Sequence, residues 1–269
     1  MKYVLVTGAY GGMGKAMVNS LLDKGFFVIA LDKTIEQENK ERLFSIEVDI
    51  TKEENIQLAL KKIKEITNTL DAIIHFTGIY MLDSLVEIKT DDLKKIFDIN
   101  FFGPVLINKI FIPMLKKRSK IIMVTSELAP LDPLPFTGIY AITKSSLDKY
   151  AYSLKMELQL LGISVSVLRA GAVKTNMLNT STKALDDFCN NTKLYSCNAK
   201  RFKNIVDSVE AKSIEPNKIA KLVMKIIYKK NPSFSYSLNN NVFLKLLNIL
   251  PHKFQFWIIK QILKTKEEK

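Results

Sequence analysis

The sequence predicts an α/β fold with a doubly wound parallel sheet, built as a single domain with an amphipathic C-terminal extension. The chain has 269 residues, of which 47% are hydrophobic and 25% charged, a balance typical of a packed globular domain. Short apolar runs alternate with segments of helical spacing, as in parallel strands joined by crossover helices. A glycine-rich turn follows the first apolar run.

Six short apolar runs predict the strands. Their residues are almost continuously apolar, which indicates strands buried on both faces of a sheet. The predicted strands are residues 3–6, 26–31, 45–48, 72–76, 120–124 and 164–168.

Helices are predicted between the strands from apolar residues spaced three and four apart. Gly25 is expected to stop the first helix, and Thr90 to cap the third, where Asp91 and Asp92 favour the dipole. The predicted helices are residues 15–24, 53–66, 90–115, 140–161 and 217–230. Right-handed crossovers then give the doubly wound sheet.

The predicted organisation has two parts. Residues 1–230 are expected to form the dinucleotide-binding and catalytic domain, with a less regular, lid-like segment at 176–215. Residues 231–269 are expected to form a basic, amphipathic extension.

The turn at residues 7–14, Thr-Gly-Ala-Tyr-Gly-Gly-Met-Gly, predicts a phosphate site. Glycines let a phosphate approach the backbone, and the helix N-terminus behind them presents amide hydrogens and partial positive charge. Between a strand and a helix, such a turn indicates dinucleotide binding on a Rossmann fold. The alternative is a turn that is only structural.

Asp32 ends the second predicted strand. A carboxylate there can accept hydrogen bonds from the ribose hydroxyls and repels a 2′-phosphate, which favours NAD over NADP as the cofactor. Gly11 stands in the turn where a basic residue would help hold a 2′-phosphate. Lys33 directly follows the carboxylate and weakens the preference. The alternative for Asp32 is a polar strand end.

Tyr140 and Lys144 are one helical turn apart and share a helix face. A cation beside a phenol lowers its pKa from about 10, which suits tyrosine to general acid/base chemistry. By itself the pair is also typical of an amphipathic surface helix. Ser126, just after the fifth strand at the carboxyl edge of the sheet, favours the catalytic interpretation.

These features occur in the order and spacing of the short-chain dehydrogenase/reductase family, which the chain resembles over roughly residues 1–230. The matching positions are the turn at 7–14, Asp49, Asn100 to Gly103, Ser126, Tyr140 with Lys144, and Gly171 to Thr175.

The resemblance implies four catalytic residues. Tyr140 would exchange a proton with the substrate oxygen, which Ser126 would orient by a hydrogen bond. Lys144 would hold the nicotinamide ribose and lower the pKa of Tyr140. Asn100 would position a water molecule that links Lys144 to solvent.

The resemblance also implies the cofactor contacts. Asp32 would contact the ribose, Asp49 the adenine, and Thr175 the carboxamide or the phosphates. The full expected set is Thr7, Gly8, Tyr10, Gly12, Met13, Gly14, Asp32, Asp49, Ile50, Gly78, Asn100, Tyr140, Lys144, Gly171, Val173 and Thr175. No metal site is expected.

Two positions depart from the family pattern. The usual Asn-Ala-Gly after the fourth strand is Phe76-Thr77-Gly78 here, and the usual Pro-Gly after the sixth is Ala170-Gly171. Both put the cofactor geometry in doubt more than the reaction class. His75 is expected to be a buried strand-end residue.

The net charge of +13 is concentrated at the end of the chain, since residues 217–269 carry 11 basic and 2 acidic side chains. Within them, residues 242–264 are rich in Phe, Leu and Ile, with lysines interspersed. This segment walls the substrate pocket, lies in a membrane interface with its lysines towards anionic lipid, or binds a partner protein as a helix. It weakly resembles the C-terminal extensions of retinol and hydroxysteroid dehydrogenases.

The expected function is therefore an NAD(P)-dependent oxidoreductase that interconverts an alcohol and its ketone or aldehyde by hydride transfer. A hydrophobic substrate is expected, resembling a lipid, steroid or retinoid. The alternative is a non-catalytic cofactor-sensing or scaffold protein, whose expected signature is loss of the Tyr or Lys.

A homodimer or homotetramer is expected from the resemblance, and no nucleic acid partner, because the sequence offers no nucleic-acid motif. We expect a cytoplasmic protein, with membrane association as the alternative. Only two cysteines occur, and no signal peptide or apolar run of about 18 residues is seen.

Overall fold

The computed structural model describes residues 1–36, 39–208 and 212–264. A seven-stranded sheet in the order β3-β2-β1-β4-β5-β6-β7 forms its centre, and every neighbouring pair is parallel. The strands are β1 Tyr3–Thr7, β2 Phe27–Asp32, β3 Leu43–Glu47, β4 Leu70–His75, β5 Leu115–Ser126, β6 Ser164–Ala170 and β7 Ser235–Leu238. The predicted fold class is confirmed.

Helices cover both faces of the sheet and continue beyond its edge. They are α1 Gly12–Asp23, α2 Glu53–Lys64, α3 Thr90–Phe97, α4 Gly103–Phe111, α5 Gly138–Leu158, α6 Asn176–Asn191, α7 Ser196–Ser208, α8 Pro216–Tyr228, α9 Val242–Ile249 and α10 His252–Leu263.

Side chains alternate between the two layers along each strand. In β1, Val4 and Val6 pack with α1 and α8, whereas Leu5 packs with α2, α4 and α5 on the other face. Both faces are therefore buried, which explains why the strands are continuously apolar in sequence.

The site is positioned where the strand order reverses. The chain winds outward through β2 and β3 on one side of β1, and through β4, β5 and β6 on the other. The carboxyl ends of β1 and β4 lie side by side there, with Thr7 opposite His75. A crevice opens at such a switch point in doubly wound sheets.

The third helical segment differs from its prediction in two ways. Lys89 is the N-cap with an extended backbone, and Thr90 is already in the first turn, so the predicted Thr90 cap is wrong. A π-helical turn, Asp98–Phe102, then separates α3 from α4. The extra residue of such a turn redirects the side chains that follow.

Residues Thr90–Met114 form one helical run that is long and apolar enough, by length and composition, to cross a membrane. It is the single such run in the described part of the chain. Core helices pass the same test, and here Ile107, Ile110 and Phe111 are buried against the sheet.

The irregular structure expected around residues 176–215 is wrong for its described part. Two amphipathic helices, α6 and α7, pack together there, and the ring of Phe136 contacts those of Phe188, Tyr195 and Phe202. Residues 209–211 of this predicted lid, and 265–269 of the predicted extension, lie outside the described residues.

Strand β7 was not predicted from the sequence. It has only four residues and pairs with β6 alone, at the edge of the sheet. Its residues are half-buried at most, so no apolar run marks it. The sheet is therefore completed by residues beyond 230.

His75 at the end of β4 is wholly buried. Its Nε2 donates a hydrogen bond to Asn108 Oδ1 at 3.0 Å, and its Nδ1 has no hydrogen-bond partner among the described residues. Burial lowers the pKa of His75 to about 4 from 6.5. The imidazole is therefore neutral in the folded protein at physiological pH.

We predict that His75 makes folding pH-dependent. Its folded pKa lies below its unfolded pKa, so the unfolded chain binds a proton first and stability falls as pH drops from 6.5 towards 4. The loss should be about 2 kcal/mol between pH 7 and pH 5. Denaturant unfolding of wild type and His75→Gln at both pH values measures it.

The glutamine can keep the bond to Asn108 but does not titrate, so His75→Gln should lack this loss. His252→Gln, at an exposed position, should keep the wild-type loss. Equal losses in wild type and His75→Gln would contradict the prediction.

Candidate active site

A cleft of about 610 Å³ opens at the carboxyl ends of β1, β2 and β4. One end holds acidic groups and the other reaches the start of α6. Of the predicted cofactor contacts, those that line it are Gly8, Gly12, Met13, Gly14, Asp32, Asp49, Ile50, Gly78 and Thr175.

The glycine turn forms the floor of the cleft. Gly8 has a φ of +65°, and a Cβ there would lie 2.7 Å from Thr77 N, so only glycine fits. Helix α1 begins at Gly12 with its first amides at the cleft, where they can bind an anion. A Cβ on Gly12 would lie 2.6 Å from Thr175 Cγ2.

Asp32 is fixed beside this turn. Its Oδ2 accepts a hydrogen bond from Tyr10 N at 2.7 Å, and its Oδ1 accepts one from Lys33 N at 2.7 Å. The backbone therefore holds the carboxylate at the mouth of the cleft.

Asp49 is held next to it. The hydroxyl of Thr51 donates to Asp49 Oδ1 at 2.7 Å, and Lys33 Nζ lies 3.4 Å from Oδ2. The Thr51 hydrogen bond is the main reason that the pKa of Asp49 is lowered. Lys33 thus contacts Asp32 through its backbone and Asp49 through its ammonium, and its side chain is largely exposed.

Seven predicted contacts do not line the cleft: Asn100, Tyr140 and Lys144, which lie beyond one end of it, and four residues behind its walls. Tyr10 is buried in the core with its hydroxyl on Ser45 Oγ, and Thr7 is buried with its Oγ1 unpaired among the described residues. Val173 packs in the core, and Gly171 contacts the loop before α9. These four residues lie behind the walls of the cleft.

The proton-transfer candidates lie together at the end of β5. Tyr140 is in the first turn of α5, and the side chain of Ser126 is near enough to its hydroxyl to lower the pKa of the phenol. Lys144 is one turn later, with Nζ 5.9 Å from the centre of the Tyr140 ring. Nζ donates to Val124 O at 3.5 Å.

Asn100 reaches this group from the π-helical turn. It is fully buried, and its amide donates to Ile79 O at 2.9 Å and to Thr143 Oγ1 at 3.1 Å. Its Oδ1 accepts from Ile79 N at 2.8 Å. Asn100 therefore clamps the loop after β4 to helix α5.

Burial dominates the electrostatics of the pair. It lowers the pKa of Lys144 to about 8 and raises the pKa of Tyr140, although the nearby Ser126 side chain opposes the latter. The expected lowering of the Tyr140 pKa by Lys144 is not found in this arrangement. Desolvation outweighs an ammonium that makes no direct contact with the phenol oxygen.

Tyr80 and Glu127 are site residues that the sequence analysis missed. The ring centroid of Tyr80 lies 4.9 Å from that of Tyr140, with the rings tilted by 53°, and the carboxylate of Glu127 adds to burial in raising the pKa of Tyr140. Their positions, Tyr80 two residues after Gly78 and Glu127 directly after Ser126, were the available signal.

The arrangement fits a nicotinamide dinucleotide. The turn leaves room for phosphates, and the cleft runs from the two carboxylates towards the buried tyrosine and lysine. A Cβ on Gly78 would lie 2.9 Å from Lys144 Nζ, so this glycine keeps space beside the ammonium. No group of three His, Cys, Asp or Glu side chains suited to a metal occurs within 1–36, 39–208 and 212–264.

Comparison with known proteins agrees with this geometry. A family model described as short chain dehydrogenase matches residues 2–186. An NADPH-dependent 1-acyldihydroxyacetone phosphate reductase of Schizosaccharomyces pombe is 28% identical over 192 residues, which are 68% of this chain and 65% of that protein. The chain thus spans just under two thirds of that relative.

Two further proteins are similar over more of their length. A 3-ketodihydrosphingosine reductase of Bacteroides thetaiotaomicron is 24% identical over 257 residues, covering 95% of this chain and 92% of that protein. The structure of a short chain dehydrogenase family protein from Francisella tularensis has a TM-score of 0.72 at 25% identity, covering 88% and 97%.

We predict that Gly12→Ala weakens NADH binding about tenfold or more, because the new methyl group displaces Thr175 across the phosphate turn. NADH fluorescence titration measures the affinity. Gly11→Ala is the matched control, since its Cβ would lie 3.4 Å from Gly8 O, an ordinary contact. Equal affinities for the two variants would show that the turn does not hold the dinucleotide.

Proposed function

Because the chain belongs to the short chain dehydrogenase family and is an NAD(P)-dependent oxidoreductase, we propose that it interconverts a hydrophobic alcohol and its ketone or aldehyde. The observation that carries the proposal is the convergence of Ser126, Tyr140 and Lys144 beside the dinucleotide cleft. These three groups are what a carbonyl oxygen needs for orientation and proton transfer.

A nicotinamide bound in the cleft supplies the two-electron acceptor or donor. The hydroxyls of Ser126 and Tyr140 both donate hydrogen bonds to the carbonyl oxygen. Tyr140 then gives its proton to this oxygen in reduction, and takes it back in oxidation. Ser126 also stabilises the phenolate that remains, since its side chain lowers the pKa of Tyr140.

Lys144 has two roles in this proposal. Its ammonium stabilises the phenolate through the low-dielectric interior and would contact the nicotinamide ribose of a bound cofactor. Asn100 acts through Lys144 and Tyr140 by holding the loop after β4 against α5. Asn100 is therefore a positioning residue.

A hydrophobic substrate is supported by the surroundings of Tyr140. Its ring belongs to an apolar cluster with Ile96 and Ile139. Tyr80 joins this cluster to a second one, formed by Leu82 and side chains of the lid helices α6 and α7. Two of the similar proteins described above are named as a 1-acyldihydroxyacetone phosphate reductase and a 3-ketodihydrosphingosine reductase, both acting on lipid carbonyl compounds.

We propose NAD rather than NADP as the preferred cofactor. Asp32 is held at the cleft by Tyr10 N, where its charge repels a 2′-phosphate and its oxygens can accept ribose hydroxyls. Lys33 is the group that opposes this preference, and it is paired with Asp49. The S. pombe relative, by its name, uses NADPH.

We predict that Tyr140→Phe lowers kcat for carbonyl reduction at least about a hundredfold, because Tyr140 is the hydroxyl assigned to deliver the proton. NADH binding should stay unchanged. Turnover on a panel of ketones and aldehydes graded by hydrophobicity measures the loss. Tyr152→Phe, at an exposed position on the same helix, is the matched control. Unchanged turnover by Tyr140→Phe would rule out the mechanism.

We predict that Asp32→Ser raises the ratio of NADPH to NADH affinity about tenfold or more, since the repulsion of the 2′-phosphate is removed. Fluorescence titration with both nucleotides measures the ratio. Asp49→Asn, beside the same lysine, should change it less. A wild-type protein that already prefers NADPH would overturn the NAD assignment without affecting the reaction class.

A further inference from the structure

Helices α9 and α10 present a large apolar surface to solvent. Six of its large exposed members are Phe243, Leu246, Ile249, Phe254, Phe256 and Trp257, each at least 56% accessible. We name these six side chains the tail face. Single exposed apolar residues are ordinary on soluble proteins, but six large ones within 15 positions mark an interaction surface.

On these two helices some polar side chains face the protein, while large apolar side chains face solvent. Gln255 is buried and donates to Asp132 Oδ2 at 3.3 Å, while its neighbours Phe254 and Phe256 point away. Asn248 Nδ2 also donates to Asp132 Oδ2, at 2.8 Å. Polar side chains, together with half-buried ones such as Leu244 and Leu247, thus attach the helix pair, and the tail face is left for a partner.

The attachment fixes how the tail face is oriented. The backbone amide of Asn241, just before α9, donates to the carboxylate of Glu127, the residue after Ser126. At the other end, Asn198 Nδ2 of α7 donates to Leu263 O at 2.8 Å. The helix pair therefore spans from the loop that follows Ser126 to the lid helices.

The charge around the tail face has one sign. Residues 242–264 contain no Asp or Glu, and Lys245, Lys253 and Lys260 are all exposed among the apolar side chains. A symmetric contact between two copies of this face would bring these lysines together, which is unfavourable. An anionic surface complements them.

We propose that the tail face docks on a membrane surface containing anionic lipid. The aromatic rings enter the boundary between headgroups and acyl chains, and the lysines contact the headgroups. The helices lie on the membrane and do not cross it, since each has 12 residues or fewer. Docking would put the bilayer near the apolar clusters proposed to surround the substrate. The docking itself does not depend on the proposed reaction.

Trp257 gives a direct test because it is the single tryptophan of the chain and lies in the tail face. The full chain is mixed with vesicles of phosphatidylcholine alone, or of phosphatidylcholine with phosphatidylglycerol. Flotation measures the bound fraction, and Trp257 emission reports the polarity around the ring. We expect binding and a shift to shorter wavelength with the anionic vesicles.

Two variants separate the apolar and the charged contributions. Phe243→Ser with Phe256→Ser should lower vesicle affinity at least about tenfold, since two aromatic rings that enter the bilayer are lost. Lys253→Glu with Lys260→Glu should lower it about fivefold or more for each lysine, only with anionic vesicles.

The matched controls carry the same changes elsewhere. Leu160→Ser with Leu194→Ser alters exposed apolar residues outside the tail face, and Lys221→Glu with Lys225→Glu alters exposed lysines of α8. Both should bind like wild type. Tyr140→Phe should also bind fully, which separates docking from catalysis.

Absence of vesicle binding by wild type would overturn the proposal. So would a tail face covered by a second copy: Trp257 emission would then be at short wavelength without vesicles, and the Phe243→Ser, Phe256→Ser variant would dissociate the oligomer.

Discussion

The burial of the Lys144 ammonium beside the Tyr140 phenol is the constraint on which the rest of the site depends. A buried cation is costly unless polar groups surround it, and here those groups come from separate elements. Val124 O is at the end of β5, and Gly78 leaves room for the ammonium after β4. Asn100, from a π-helical turn, locks that loop to the helix that carries both residues. The buried pair therefore depends on the relative positions of β5, the loop after β4 and the π-helical turn.

The same burial explains why the two groups suit proton transfer to a carbonyl. In a low-dielectric site the phenol keeps its proton until a substrate oxygen accepts it, because ionised Tyr140 is disfavoured. The ammonium is also disfavoured, so a negative charge that develops on the phenolate stabilises it in turn. Burial disfavours the phenolate and the ammonium when each stands alone. In the proposed reduction the two charges are present together and stabilise each other. The ring of Tyr80 lies beside the phenol, tilted by 53°.

Sequence patterns with a fixed period were sufficient for most of the fold, and the order of the motifs predicted which candidate residues lie near one another at the edge of the sheet. Continuous apolar strands located the sheet, and the order of motifs located Ser126, Tyr140 and Lys144 at one edge. Features set by tertiary contacts escaped. The four-residue strand β7 is polar and gains its place from β6, and the Tyr80 ring contact depends on the loop path after Gly78. The sequence of α9 and α10 does not show which of their side chains face the protein, so the exposure of the tail face is apparent only in the structure.

The pH dependence of kcat/KM for carbonyl reduction tests the central claim most directly, because it reports on the free enzyme. If the buried Lys144 ammonium is required, the rate should be level below about pH 8 and fall as pH rises through the pKa of Lys144, about 8. Tyr140 cannot cause this limb, since its own pKa is raised. A rate that stays level to about pH 10, where an ordinary lysine titrates, would contradict the account.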